Sequence, residues 1–108
     1  MEKNFEDWNG TSFHNGLVKS TYQDLVVKLG EPTEFGSGDD KVQVEWLLKT
    51  DDGTPFTIYD WKEYDTDVVN STKTIDFHIG HHNAVELKKI IAYLGTLNVK
   101  ATEFKFPF

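Results

Sequence analysis

The chain has 108 residues, no cysteine and a formal net charge of −7. Its length makes it one domain, residues 1–108, able to bury roughly two thirds of the surface its unfolded form exposes; without thiols it has no disulfide, thiolate metal site or cysteine nucleophile. All 11 basic residues are lysines, and nine acidic residues against three lysines fall between Asp39 and Asp67, a balance that disfavours a phosphate backbone and lacks the bidentate arginines of typical nucleic-acid readers.

The first ten residues, MEKNFEDWNG, hold no apolar run for a signal peptide, and no apolar run in the chain approaches the roughly 20 residues of a membrane span. A cytoplasmic protein with no membrane partner is expected. In SFHNGLVKS, Asn15-Gly16 predicts a tight turn with a short strand or hairpin arm. STYQDLVVKLGEP then predicts a short helix, with Ser20 as N-cap, Gln23 three residues on, Tyr22, Leu25, Val26 and Leu29 on one face, and Gly30 and Pro32 as stops.

EFGSGDDK reads as a loop; it lacks the lysine and hydroxyl residue of a phosphate-cradling loop. KVQVEWLLK alternates, placing Val42, Val44, Trp46 and Leu48 on one face and Gln43, Glu45, Leu47 and Lys49 on the other. TDDGTP is a turn, and FTIYDWK a return strand with Phe56 and Ile58 opposed to Thr57, Tyr59 and Trp61. Residues 65–73 read as an exposed loop. TIDFHIG is a third strand, and NAVELKKIIAYLG a second helix capped by Asn83 with Glu86 in the capping-box position and stopped at Gly95. The tail, residues 96–108, carries Phe104, Phe106 and Phe108 as a last edge strand or a docking segment. Together these elements predict an α+β fold: an antiparallel meander of three to five strands with two helices packed on one face.

Three of the four histidines, His78, His81 and His82, lie within five residues. Two imidazoles on one zinc ion need ring nitrogens about 3 to 3.5 Å apart, whereas in a continuing strand the Cα atoms of His78 and His82 stand about 13 Å apart. Only a sharp turn at Gly80 would join His78 to His81 or His82, with Asp76 or Glu86 as a third ligand. The segment is therefore read as a polar loop leading into a helix cap, with no metal or cofactor. A hydrolytic reading would use His78 as general base beside Asp60 or Asp76, but no nucleophile motif accompanies it. The sheet pattern offers a different feature: Tyr59, Trp61 and His78 share the face away from the helices, beside Glu45 and Lys62, as a platform for a protein partner or a stacked base. Coverage of that face by the tail phenylalanines is the competing reading.

From about Gly16 to Leu94, the segments STYQDLVVKLGEP, GDDKVQVEWLLKTDDGTPFTIYDWK and FHIG resemble a widespread family of small proteins encoded in tailed-phage genomes. The most specific parts are Glu45-Trp46 with Ile58-Tyr59-Asp60-Trp61-Lys62, and Phe77-His78-Ile79-Gly80. The chain departs from the family pattern at His81 and His82, where relatives carry glycine or other small or polar residues, so His78 is the motif histidine. The resemblance implies a context rather than a mechanism: a non-enzymatic accessory protein that binds and inhibits a host protein, such as a CRISPR or other nucleic-acid-handling defence complex. An acidic segment from Asp39 to Asp67 would imitate nucleic acid there. The residues expected to bind are Glu45, Asp51, Asp52, Glu63 and Asp65 of the acidic hairpin, with Tyr59, Asp60, Trp61, Lys62 and His78 of the aromatic face. The alternative is a sequestering protein for a nucleotide-like signal, stacking its base on Tyr59 or Trp61 and its phosphate on His78 or Lys62. A homodimer through the tail or a strand edge and a monomer fit the sequence equally.

Overall fold

The computed structural model describes residues 5–36, 41–64 and 66–103. Its strands are β1 (Ser12–Ser20), β2 (Glu34–Phe35), β3 (Val44–Lys49), β4 (Pro55–Tyr59), β5 (Ile75–His81) and β6 (Ala101–Glu103), with helices α1 (Tyr22–Leu29) and α2 (Leu87–Thr96). They form one antiparallel sheet in the order β2-β3-β4-β5-β1-β6. Strands β3 to β5 are the expected meander, while β2 adds an edge strand beside β3, and β1 and β6 extend the sheet beyond β5. The class is α+β as expected, and among the described residues the sheet has six strands rather than three to five.

Alternation along the strands sends Val18, Val44, Trp46, Phe56, Ile58, Ile75, Phe77 and Ile79 to one side, where they are buried with Leu25 of α1 and Leu87, Ile90 and Leu94 of α2. Both helices thus cover the same face. Trp46 meets the edge of Phe77 at a centroid distance of 6.0 Å, and its indole N–H donates to the Gly30 carbonyl at 2.9 Å, fastening the end of α1 over β3. Such a buried indole fills the core only because its polar end finds this acceptor.

Several local readings are corrected. Asn15-Gly16 makes no turn: Asn15 adopts the left-handed conformation (φ 70°) inside a bulge of β1, where the pairing with β5 slips between Phe13 and Gly16. An Asn-Gly signal reports a positive φ, which a bulge uses as readily as a hairpin. Gly16 itself is needed for space, because a Cβ there would lie 2.6 Å from Leu87 Cδ1 and 3.1 Å from Ile79 Cβ. Gly16→Val is expected to destabilise the fold by about 1–3 kcal/mol through overpacking, read by urea denaturation; an unchanged midpoint would refute the close approach of α2 to β1.

The N-cap of α1 is Thr21, whose hydroxyl accepts the Asp24 N–H, and Ser20 closes β1 instead. Helix α2 runs through Gly95 and ends where Asn98 takes φ 61°. The segment after β4 is no plain exposed loop, because Val68 is buried. Its backbone is held by one side chain: Gln43 Nε2 donates to the carbonyls of Glu63 (3.0 Å) and Thr66 (2.7 Å), and Gln43 Oε1 accepts the Val68 N–H (3.0 Å). Part of EFGSGDDK is strand β2 rather than loop, whereas part of the tail forms the edge strand β6, one of its two expected roles. Asp39, Asp40, Asp65, Phe104, Phe106 and Phe108 lie outside the described residues.

Candidate binding face on the open side of the sheet

Strand register sets one row of side chains across the face opposite the helices: Glu34, Glu45, Tyr59, His78, Leu17 and Thr102, each opposite the next. Of the predicted residues, Glu45, Tyr59 and His78 lie in this row and Trp61 beside it. The His78 ring lies 5.6 Å from Tyr59, 6.2 Å from Trp61 and 4.4 Å from Phe13, stacked on the last. Phe13 was not foreseen, because the bulge that turns it toward His78 leaves no trace in an alternation count.

Trp61 follows β4 and is 39% exposed. The Lys62 and Lys41 ammonium groups lie 5.5 and 5.9 Å from its ring centroid, within cation–π reach. Lys62 holds φ 55°. Partial burial shapes the protonation of the cluster. It lowers the His78 pKa, outweighing the opposite pull of Asp76, and together with the Glu45 charge it pushes Tyr59 up to about 12. The face therefore presents a largely neutral aromatic surface near pH 7.

Asp60 belongs to the frame rather than the face. It is fully buried, and its Oδ1 accepts the N–H groups of Gln43 (2.8 Å) and Val44 (2.9 Å). Asp51 and Asp52 sit in the β3–β4 turn, at the far end of the hairpin from Trp61, Lys62 and Glu63. Asp52 accepts from Thr50, Thr54 and Lys89 of α2, and these hydrogen bonds, Thr50 first, hold its carboxyl well below the usual range. The acidic hairpin residues are thus divided between two ends of the sheet, and Asp52 is turned toward the helix layer.

The three clustered histidines go separate ways. His78 stacks on the open face. His81 ends β5 fully buried, and its Nδ1 donates to the Asn83 carbonyl at 2.8 Å; the reading of this segment as a polar loop is corrected there. His82 Nε2 bonds the Asp7 carbonyl at 2.9 Å, tying the helix cap to the N-terminal 3₁₀ turn, Phe5–Trp8. Among the described residues no three His, Asp or Glu side chains are grouped as a metal ion requires.

The N-terminal turn also closes one end of the open face. The Trp8 indole N–H is shared between the carbonyls of Leu48 (3.0 Å) and Phe56 (3.2 Å), and beneath the turn lies a cavity of about 220 Å³ bordered by Trp8, Thr11, Glu34, Glu45, Leu47 and Thr57. Sequence reading missed this pocket because it needs Trp8 and β2 brought together. Glu34 and Glu45 stand directly opposite each other, a like-charge pairing that destabilises a sheet. Burial, then Glu34 and Asp60, raises the Glu45 pKa above its ordinary value of 4.5. The folded state therefore holds this proton more tightly than the unfolded chain, a contribution fully present below pH 4.5 and lost as pH rises through the raised value. Glu45→Gln is expected to add about 0.5 kcal/mol of stability at neutral pH by removing the repulsion, with little gain below pH 4.5. Urea denaturation in the two ranges checks this, and a loss of stability at neutral pH would contradict it.

Among the described residues no helix is long and apolar enough to cross a membrane. Comparison with family models, curated proteins and solved structures finds no match to this chain.

Proposed function

We propose that the protein is a non-enzymatic phage accessory protein that binds and inhibits a host defence factor through the open face of its sheet. A CRISPR or other nucleic-acid-handling complex is the class of target. The observation that carries the reading is the aromatic group of Tyr59, Trp61, His78 and Phe13 on a sheet face that neither helix covers. Half-exposed tyrosine and tryptophan in one patch are the side chains that dominate protein interfaces. Acidic mimicry of nucleic acid by the whole hairpin receives less support, since Asp52 is bound to Lys89 and lies away from Glu63. The docking role accordingly rests on the aromatic face.

A second reading is favoured by the lysines at Trp61: a nucleotide-like ligand would stack its base on the indole and place phosphate against Lys62. Native mass spectrometry of the tagged protein recovered from host lysate separates the two. A stoichiometric host protein supports the inhibitor reading; the chain alone with a small added mass supports the nucleotide reading and sinks the first.

A further inference from the structure

Among the described residues, those bordering the pocket beneath Trp8 bring two carboxylates and an indole but no cation. Among the described residues neither Glu34 nor Glu45 has a lysine or histidine within ion-pair distance: Lys49 pairs with Asp7 at 2.6 Å and lies 5.3 Å from the Trp8 centroid, Lys89 pairs with Asp52, Lys28 with Asp24, and Lys41 and Lys62 lie at Trp61. Two carboxylates held opposite each other at the mouth of a 220 Å³ cavity repel one another, and Glu45 is partly withdrawn from water while Glu34 is exposed. A cation entering between them would relieve both costs.

We infer that this pocket receives an arginine side chain of the protein partner, a guanidinium placed between Glu34 and Glu45 against the Trp8 indole. This rests on the docking role proposed for the open face. The guanidinium suits the site better than an ammonium, because its planar fork can donate to two carboxylates, it sheds water more readily and it stacks on aromatic rings. Placement supports one partner engaging both features: Glu45 is directly opposite Tyr59 on the neighbouring strand, about 4.7–4.9 Å away in the strand-spacing direction. A partner lying over Tyr59 and His78 is then within a side-chain length of the pocket. Charge is complementary as well, since the chain carries a net charge of −7 and would steer a basic surface toward it.

The probe is Nα-acetyl-arginine amide, titrated into the ¹⁵N-labelled full chain and followed by NMR, with its uncharged citrulline counterpart and its lysine counterpart as comparisons. Saturable shifts of the Trp8 indole N–H and the Glu45 amide are expected, with a dissociation constant of about millimolar order for so small a ligand. The lysine probe should bind more weakly and citrulline should leave the signals in place. The E34Q/E45Q double variant should weaken arginine binding by about tenfold or more, and a folded spectrum of that variant is expected because the change removes a repulsion. Absence of saturable shifts, equal shifts with citrulline, or full retention in the double variant would each overturn the inference. Should the double variant fail to fold, the citrulline comparison on the wild-type chain decides alone. Arginine shifts that persist in a protein capturing no host factor would defeat the docking role and leave the pocket's chemistry standing; capture without arginine shifts would do the reverse.

Discussion

Asp60→Ala is expected to cost about 3 kcal/mol of folding stability, because hydrogen bonds to a carboxylate are worth about 1.5–3 kcal/mol each and two are lost at once. The side chain is fully buried and accepts the N–H groups of Gln43 and Val44, so alanine leaves both donors without their acceptor. The damage extends beyond β3. Gln43 holds the carbonyls of Glu63 and Thr66 and the Val68 N–H, and the Lys62 N–H donates to the Lys41 carbonyl at 2.8 Å. Loosening Gln43 therefore loosens the segment that carries Trp61. Asp60→Asn keeps an acceptor at Oδ1 and is expected to cost about 1 kcal/mol, in line with neutral hydrogen bonds. Urea denaturation of the two variants tests the ordering; an alanine variant as stable as the asparagine one would show that Asp60 does not organise this end of the sheet.

Under the docking role proposed for the open face, Trp61→Ala is expected to reduce affinity for the protein partner by about thirtyfold, the roughly 2 kcal/mol lost when a central aromatic anchor is truncated. Stability should change far less, because Trp61 is 39% exposed and lies beyond the end of β4. Binding and denaturation measured on the same preparation separate the two effects. A variant that loses stability and affinity together would make Trp61 part of the frame, and one that loses neither would remove it from the interface.

The strands that were legible in the sequence are those with long, clean alternation. Val44, Trp46 and Leu48 against Glu45 and Leu47 place the faces of β3 correctly, and Ile75, Phe77 and Ile79 do so for β5. Strand β2 was hidden because two residues are too few to show a period, and pairing with an already formed edge creates it; in the tail, legible as an edge strand, only three residues pair. In β1 the short strand was legible, but the Asn-Gly pair pointed to a turn, whereas Asn15 uses its tolerance of positive φ in a bulge. The same limits apply to the candidate site. Tyr59 and His78 could be placed on one face by counting, and they are direct partners between β4 and β5. Phe13, the Trp8 pocket and the Glu34–Glu45 opposition depend on contacts between segments far apart in the chain, which no local pattern encodes. His81 shows the converse: its polar neighbours suggested a loop, yet one more step of strand carried it into the core, where the Asn83 carbonyl accepts its ring proton.

The most direct test of the open face as the docking surface is a paired capture from one host lysate, read by native mass spectrometry, using the wild-type chain, Trp61→Ala and an Asp51→Lys, Asp52→Lys variant. The account predicts a stoichiometric host protein on the wild type and on the hairpin variant, and its loss from Trp61→Ala. A partner retained by Trp61→Ala and lost from the hairpin variant would contradict it, moving the interface to the acidic turn beside α2.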